Sequence, residues 1–208
     1  MIIKARHHWF VYPFFQYYTL WLMKKHFNRI SIHGSFSDKG LPILLLANHF
    51  SWWDGFFAVF LNYKILHRKF HVMMLEEQLK KYWFFSLSGA FSVKKHARSI
   101  MDTIDYANEL LTANRNMVVV YPQGRIRSVY ETQLHFEKGV ARIIYNSKNN
   151  IQVLFMASLV DYLSHKKPDI TIYIGEYKDY NKKIDVLEDE YNSFYSKCRM
   201  MNCDLAGS

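Results

Sequence analysis

Short, almost uninterrupted apolar runs alternate along the chain with longer segments in which apolar residues recur at helical spacing. The apolar runs predict strands at 30–33, 41–47, 70–75, 90–93, 117–121, 151–160 and 170–177. The segments between them predict helices at about 51–66, 76–87, 97–114, 136–149 and 186–198. Continuous apolar strands that alternate with helices are typical of a sheet covered on both faces. We therefore predict a single-domain α/β fold with a mixed, largely parallel sheet flanked by helices.

The N-terminal segment 7–23 is rich in aromatic residues, with three tyrosines, two tryptophans and three phenylalanines. Basic residues flank it on both sides. It is too short for a comfortable transmembrane helix, which needs about 20 apolar residues, and it lacks the small-residue cleavage site of a signal peptide. Aromatic rings with basic flanks are typical of a helix in the membrane interface. We predict such an anchor here, although a helix packed on its own domain would leave the same pattern.

Composition narrows the class of partner. The 208 residues suffice for one domain with a proper core, and an apolar fraction of 50% argues against disorder. Cys198 and Cys203 lie too close together to staple a fold. A net charge of +9 with 17% aromatic residues indicates an anionic partner, either a membrane surface or a nucleic acid. The sequence contains no recognition-helix, zinc or RNA-binding signature, so we favour the membrane.

The first candidate for chemistry follows the predicted strand 41–47. His49 and Asp54 lie five residues apart, and Ser51 is placed to cap a helix whose first turn contains Asp54. The loop can then fold His49 back onto the carboxylate, at the strand end where open α/β sheets bind ligands. A histidine held by a carboxylate has a fixed tautomer and can act as a general base. The spacing alone fits equally an aspartate that caps the helix beside an incidental histidine.

Two later segments place cations after strands. The strand 117–121 runs into a turn set by Pro122 and Gly124, and Arg125 and Arg127 follow. Paired arginines can clamp a phosphate or carboxylate, although alone they are typical of a solvated basic turn. The strand 90–93 is likewise followed by cations. His67 and His71 lack a third ligand, so we predict no metal site.

Taken in order, these segments resemble the glycerolipid acyltransferase family, which contains the lysophosphatidic acid acyltransferases, over roughly residues 40–177. His49 and Asp54 match the family's His-x4-Asp block. The family block Pro-Glu-Gly-Thr-Arg-Ser resembles the segment that contains Pro122, Gly124, Arg127 and Ser128. Its Lys-x-Gly piece resembles Lys138 and Gly139. The order of the blocks is specific, although each block alone is not.

The chain also departs from the family pattern. Gln123 stands where the family usually has glutamate, and one extra residue lets either Arg125 or Arg127 take the place of the family arginine. Lys95, with Arg98 as the alternative, stands where the family carries an arginine for the acceptor phosphate. The segment 153–155 lacks the usual proline. These changes concern acceptor binding and leave the catalytic pair intact.

The resemblance implies acyl transfer from acyl-CoA or acyl-carrier protein to a lysolipid hydroxyl, by default that of a lysophosphatidate-like acceptor. It implies His49 as general base, Asp54 as the residue that orients it, and no cofactor beyond the thioester co-substrate. The implied substrate-binding residues are Lys95, Gln123, Gly124, Arg125 and Arg127. Alternatives are a non-catalytic lipid-binding protein of the same fold, hydrolysis of the thioester by water, and a non-glycerolipid acceptor such as an ornithine lipid or a glycosylated terpenoid.

These expectations also set the organisation and the location of the protein. We predict a membrane-interfacial segment at 1–29, an acyltransferase domain at 30–200 and a disordered tail at 201–208. The expected partners are an anionic membrane surface, the acyl-thioester donor and a lipid acceptor. Acyl-carrier protein is a further candidate partner, and we expect no binding to nucleic acid. The expected location is the cytoplasmic face of a bacterial-type inner membrane.

Overall fold

The computed structural model describes residues 2–94, 97–147, 151–178 and 183–206, without the side chains of 97–99 and 206. Its strands form one sheet. They are β1 (Ile30–Gly34), β2 (Ile43–Ala47), β3 (Lys69–Leu75), β4 (Ala90–Val93), β5 (Asn116–Val120), β6 (Gln152–Asp161) and β7 (Asp169–Glu176). The order across the sheet is β1-β7-β6-β2-β5-β3-β4. Only β6 and β7 are antiparallel neighbours, since every other described pair is parallel. The predicted mixed, largely parallel sheet is confirmed.

Helices cover both faces of this sheet. They are α1 (Val11–His26), α2 (Asp54–Leu61), α3 (Glu76–Lys81), α4 (Ala97–Leu110), α5 (Gly139–Asn146) and α6 (Ile184–Ala206). A π-helical turn, Asn62–Leu66, extends α2, and a 3₁₀ turn, Trp83–Leu87, precedes β4. Among the described residues, none of the helices combines the length and apolarity that a membrane span requires.

The buried residues of β2 alternate between two cores because side chains of a strand point to opposite faces. Leu44 and Leu46 pack on the side covered by α4, α5 and α6. Ile43, Leu45 and Ala47 pack on the side covered by α1 and α2. The central strand is therefore fully buried, which explains its uninterrupted apolar run and fixes the position of the loop that follows it.

Several element ends differ from the prediction. The helix predicted from residue 51 begins at Asp54, and the one predicted from 136 begins at Gly139. The last helix continues through 201–206, which corrects the predicted disordered tail for that part of the chain. Asn202 explains the extension, because it is buried and its amide group bonds to Asp161 on β6 and to the hydroxyl of Tyr173 on β7. Polar anchoring of this kind leaves no hydrophobic signal in the sequence.

Candidate active site

His49 and Asp54 are in direct contact at the carboxyl end of β2. The imidazole Nδ1 lies 2.6 Å from Asp54 Oδ2, and this bond leaves the other ring nitrogen, Nε2, available. Asp54 is 1% exposed, whereas the His49 side chain is 23% exposed. A buried carboxylate therefore holds an accessible imidazole, which is the geometry that a general base needs.

The loop before α2 wraps around the Asp54 carboxylate. Its Oδ2 also accepts hydrogen bonds from the backbone N–H groups of Phe50 at 2.8 Å and Ser51 at 2.9 Å. The Ser51 hydroxyl donates to Oδ1 at 3.2 Å and accepts the Trp53 N–H. These three hydrogen bonds hold the Asp54 carboxylate in place independently of its contact with His49. The prediction that Ser51 caps the helix is wrong, because α2 begins three positions later, and Ser51 instead supports the loop that precedes the helix.

The loop after β5 holds the backbone of His49. The amide oxygen of Gln123 accepts the His49 N–H at 2.6 Å, and the Arg127 N–H donates to the His49 carbonyl at 2.9 Å. Next to it, Asn48 exchanges two hydrogen bonds with the backbone of Ser158 on β6. Both neighbours of β2 in the sheet therefore position the histidine. The Asn48–Ser158 pair leaves no local pattern in the sequence, since the two residues lie 110 positions apart.

Tyr121 supports the imidazole from one face. Its ring is stacked on that of His49, with 4.3 Å between the ring centroids and 22° between the planes. Its hydroxyl is buried and has no hydrogen-bond partner among the described residues. Burial raises the pKa of this hydroxyl well above 10, and the charge of Asp54 raises it further. Tyr121 therefore stays neutral beside the pair. Sequence reasoning missed it because it reads as the last residue of an apolar strand.

A mainly apolar groove of about 460 Å³ lies against His49 and Tyr121. Its volume falls in the range of about 300–1,000 Å³ that is usual for ligand sites. Its apolar walls come from α1, α2, the 3₁₀ turn, β3 and β4, and include Phe15, Phe56, Val72, Met74, Phe85 and Val93. A wider depression of about 860 Å³, lined in part by Lys4, Asp102 and Glu109, contains none of the predicted site residues. The His49–Asp54 pair and the apolar groove thus lie side by side.

The comparisons with known proteins agree with this arrangement. The family model described as Acyltransferase matches residues 29–174, which is more than half of the chain. The chain belongs to this acyltransferase family. No curated protein matches it. The matched range contains the His49–Asp54 pair, the groove-lining residues from His49 to Ile126 and six of the seven strands in full, and it reaches into β7, whereas Phe15 of the groove lies before it.

The structure separates the predicted substrate-binding residues of this acyltransferase into two groups. Gly124 and the exposed Arg125 line the groove together with His49. Gly124 has a φ of +64°, and a Cβ there would come within 2.8 Å of Glu137, so the turn requires glycine. Gln123 is buried and not among the groove-lining residues, and the guanidinium of Arg127 lies 3.7 Å from the carboxylate of Glu131.

The remaining predicted cation, Lys95, lies outside the described residues, as does the side chain of Arg98, its alternative. Lys94 ends the described part of that segment, and its amino group lies 3.3 Å from Glu76. Across the described chain, no group of three or more histidine, cysteine, aspartate or glutamate side chains is placed to hold a metal ion. His71 is buried, with its ring against that of His7.

Proposed function

We propose that this acyltransferase moves a fatty acyl group from an acyl thioester to a hydroxyl of a lysolipid, by default a lysophosphatidate-like acceptor. The observation that carries the proposal is the 2.6 Å contact between His49 and a buried aspartate at the wall of an apolar groove. The contact supplies a base, and the groove supplies room for an acyl chain beside it.

In the proposed reaction, Asp54 accepts the Nδ1–H of His49, so that Nε2 carries the free lone pair. Nε2 takes the proton of the acceptor hydroxyl while that oxygen attacks the thioester carbonyl. The tetrahedral intermediate collapses, the C–S bond breaks, and the leaving thiolate takes the proton back from Nε2. A general base of this kind contributes about 10²–10⁴-fold, so positioning of both substrates must supply much of the remaining acceleration.

The groove suits the acyl chain of the donor or of the acceptor. Its volume of about 460 Å³ lies in the usual range for ligand sites, and its walls are mainly apolar, as an acyl chain requires. No protein nucleophile is needed, because the thioester is already activated and can react directly with a bound hydroxyl. The donor in this proposal is acyl-CoA or acyl-carrier protein, and no further cofactor takes part.

Arg125 is our candidate for contact with an anionic group of the acceptor. It follows the glycine turn beside His49 and is exposed at the groove, whereas Arg127 is engaged by Glu131. A guanidinium binds phosphate through two parallel N–H donors. Lys95 remains a second candidate from the sequence. Because the acceptor-binding blocks differ from the family pattern, an ornithine lipid or a glycosylated terpenoid is the alternative acceptor.

We also propose that α1 holds the enzyme at the cytoplasmic face of the membrane, where the thioester donors are found. Phe10, Phe14, Tyr18 and Trp21 are all at least 40% exposed and form a continuous stripe in which each ring contacts the next. Lys25 lies over the ring of Trp21. Exposed aromatic rings with adjacent cations favour the headgroup region of an anionic bilayer, which fits the net charge of +9.

The test is an assay of the purified protein with acyl-CoA or acyl-carrier protein and a panel of lysolipid, ornithine-lipid and glycosylated-terpenoid acceptors. We expect His49→Ala to lose at least about 10²-fold in kcat, and His135→Ala, at an exposed histidine, to keep full activity. Free fatty acid as the main product would favour a thioesterase. A folded wild-type protein that binds lysolipid without forming product would favour the non-catalytic alternative.

A further inference from the structure

The hairpin between β6 and β7 carries an exposed apolar tip. Tyr162 is 61% exposed and Leu163 is 52% exposed, and neither belongs to the two hydrophobic cores. The tip continues with the exposed residues His165, Lys166 and Lys167. No ion pair engages either lysine within the part of the chain that the structure describes. The hairpin therefore presents two apolar side chains next to free positive charge.

Leu163 adopts a backbone conformation that leucine disfavours. Its φ is +44°, and the hydrogen bond from the His165 N–H to the Tyr162 carbonyl, at 2.8 Å, makes Leu163 the first central residue of a tight turn. A positive φ at this position ordinarily selects glycine or asparagine. The leucine side chain is not used for packing inside the domain, so the fold itself does not account for its presence. Strained residues of this kind often mark functional positions.

The tip lies at the same edge of the sheet as the catalytic pair. β6 runs parallel to β2, with Met156 opposite Ala47, and it continues five residues beyond that point to Asp161. Other large apolar residues are exposed after neighbouring strands at this edge, namely Trp52 after β2 and Ile126 after β5. The carboxyl edge of the sheet therefore carries exposed apolar side chains in the segments that follow three adjacent strands, β6, β2 and β5.

The base of the hairpin is tied to the end of α1. The Asn28 N–H donates to the Pro168 carbonyl at 2.9 Å, and the Asn28 side chain donates to Asp169 at 2.7 Å. The last turn of α1, two residues before Asn28, contains three basic residues. The hairpin and the proposed membrane helix are thus connected through a short hydrogen-bonded segment, and both combine exposed apolar side chains with cations.

We propose that the β6–β7 hairpin is a second membrane anchor, which inserts Tyr162 and Leu163 into the interface of a bilayer that contains anionic lipids. Lys166 and Lys167 then lie at the headgroups, where the negative charge of the anionic lipids attracts them. Together with α1, the hairpin turns the carboxyl edge of the sheet, and with it His49, toward the lipid acceptor. The inference rests on the membrane location under the proposed function and adds the orientation of the enzyme.

The experiment is co-sedimentation of the full-length protein with vesicles of phosphatidylcholine, with and without phosphatidylglycerol. Leu163→Gly removes the apolar side chain and suits the positive φ, so it should fold at least as well as the wild type. We expect it to bind vesicles about tenfold more weakly. Replacing Lys166 and Lys167 by glutamine should weaken binding about fivefold per lysine, and only on the anionic vesicles. The control Met201→Ser, at a residue with 49% exposure on α6, should bind like the wild type.

The outcomes distinguish a failure of the hairpin anchor from a failure of the proposed membrane location. If the wild type does not bind either vesicle, the proposed location fails and the hairpin anchor fails with it. If the wild type binds and Leu163→Gly binds equally well, only the hairpin anchor is overturned. Turnover of a lysolipid dispersed in detergent should be unchanged in Leu163→Gly, since the residue is not part of the catalytic site. A loss of turnover there would also overturn the anchor, because the substitution would then act on the site itself.

Discussion

The amide oxygen of Gln123 lies 2.6 Å from the backbone nitrogen of His49, so the loop after β5 holds the histidine at the end of β2. This contact explains why glutamine can stand where the family usually has glutamate. Both side chains present an sp² oxygen at the same distance from the backbone, and the bond requires an acceptor without requiring a charge. The substitution therefore leaves the position of the His49–Asp54 pair intact.

The role of Gln123 is tested by removing its acceptor. Gln123→Leu leaves the partly buried His49 N–H without its partner, so we expect a loss of about 1–3 kcal/mol in the free energy of unfolding. The kcat should fall as well, because the imidazole is no longer held in place. Denaturant unfolding and steady-state kinetics measure the two effects. The matched variant Gln123→Glu keeps the acceptor oxygen and should retain more activity. Wild-type stability and kcat in Gln123→Leu would show that the bond does not position His49.

Asp54 is expected to act through its charge. Asp54→Asn keeps the size of the side chain and an oxygen that can accept the Phe50 and Ser51 N–H groups, so the loop should stay folded. The amide no longer stabilises the imidazolium that forms during the reaction, so we expect kcat to fall by about 10²–10⁴-fold. Asp38→Asn, at an exposed aspartate, is the control and should leave kcat unchanged. A fully active Asp54→Asn would limit Asp54 to a structural role in the loop.

The two arginines after Gly124 should behave differently. Arg125 lines the groove, and its replacement by glutamine should raise the KM for an anionic acceptor about tenfold, which is the size of one charged hydrogen bond. Arg127→Gln removes an ion pair that is partly exposed, so the expected effect is below about fivefold. The backbone N–H that Arg127 gives to His49 remains in that variant. Equal effects of the two substitutions on KM would argue against Arg125 as the specific contact.

The sequence was sufficient for the features that depend on apolar periodicity. The buried run in β2 predicted the sheet, and the spacing of His49 and Asp54 predicted that the two side chains meet at its carboxyl edge. A continuous apolar run carries this information because a central strand packs against a hydrophobic core on each face of the sheet. The family blocks added the reaction class, which the family match supports at that general level.

What the sequence did not reveal depends on contacts between distant residues. Gln123 was expected to bind substrate, yet it is buried and bonded to the His49 backbone, 74 positions away in the chain. Tyr121 reads as a strand residue, and only the folded chain places its ring on the imidazole. The extension of α6 likewise rests on Asn202, whose partners lie on β6 and β7. Such pairs leave no local pattern, because their geometry is set by the packing of strands.

His71 should make the stability of the protein depend on pH. The pKa of this histidine is lowered from 6.5 to about 4, chiefly by burial and also by the neighbouring charges of His7 and Lys69, while the bonds to backbone carbonyls oppose the shift. The unfolded chain therefore binds more protons than the folded one between pH 6.5 and 4. Stability is complete above pH 6.5 and falls as the pH decreases through that window, by up to about 3 kcal/mol.

The measurement for His71 is denaturant unfolding at a series of pH values, with His71→Asn as the comparison. The asparagine amide can replace the ring Nδ1, which bonds to the Lys69 and Met117 carbonyls, but it does not titrate. The difference in unfolding free energy between the two proteins should narrow as the pH falls from 6.5 to 4. A difference that stays constant over this range would mean that His71 protonates equally well in the folded protein.

The apolar groove should determine which acyl chains react. Val72 lies on its wall in β3 and is only partly buried, so Val72→Phe can extend into the groove without replacing a core residue. We expect the kcat/KM for a palmitoyl thioester to fall at least about tenfold, because differences of one or a few methylene groups in an apolar site are worth about 10–200-fold. A butyryl thioester should react as with the wild type. Ile65→Phe, an exposed position outside the groove, is the control and should change neither value. An equal loss for both thioesters would indicate damage to the site, and no loss for either would mean that the acyl chain binds elsewhere.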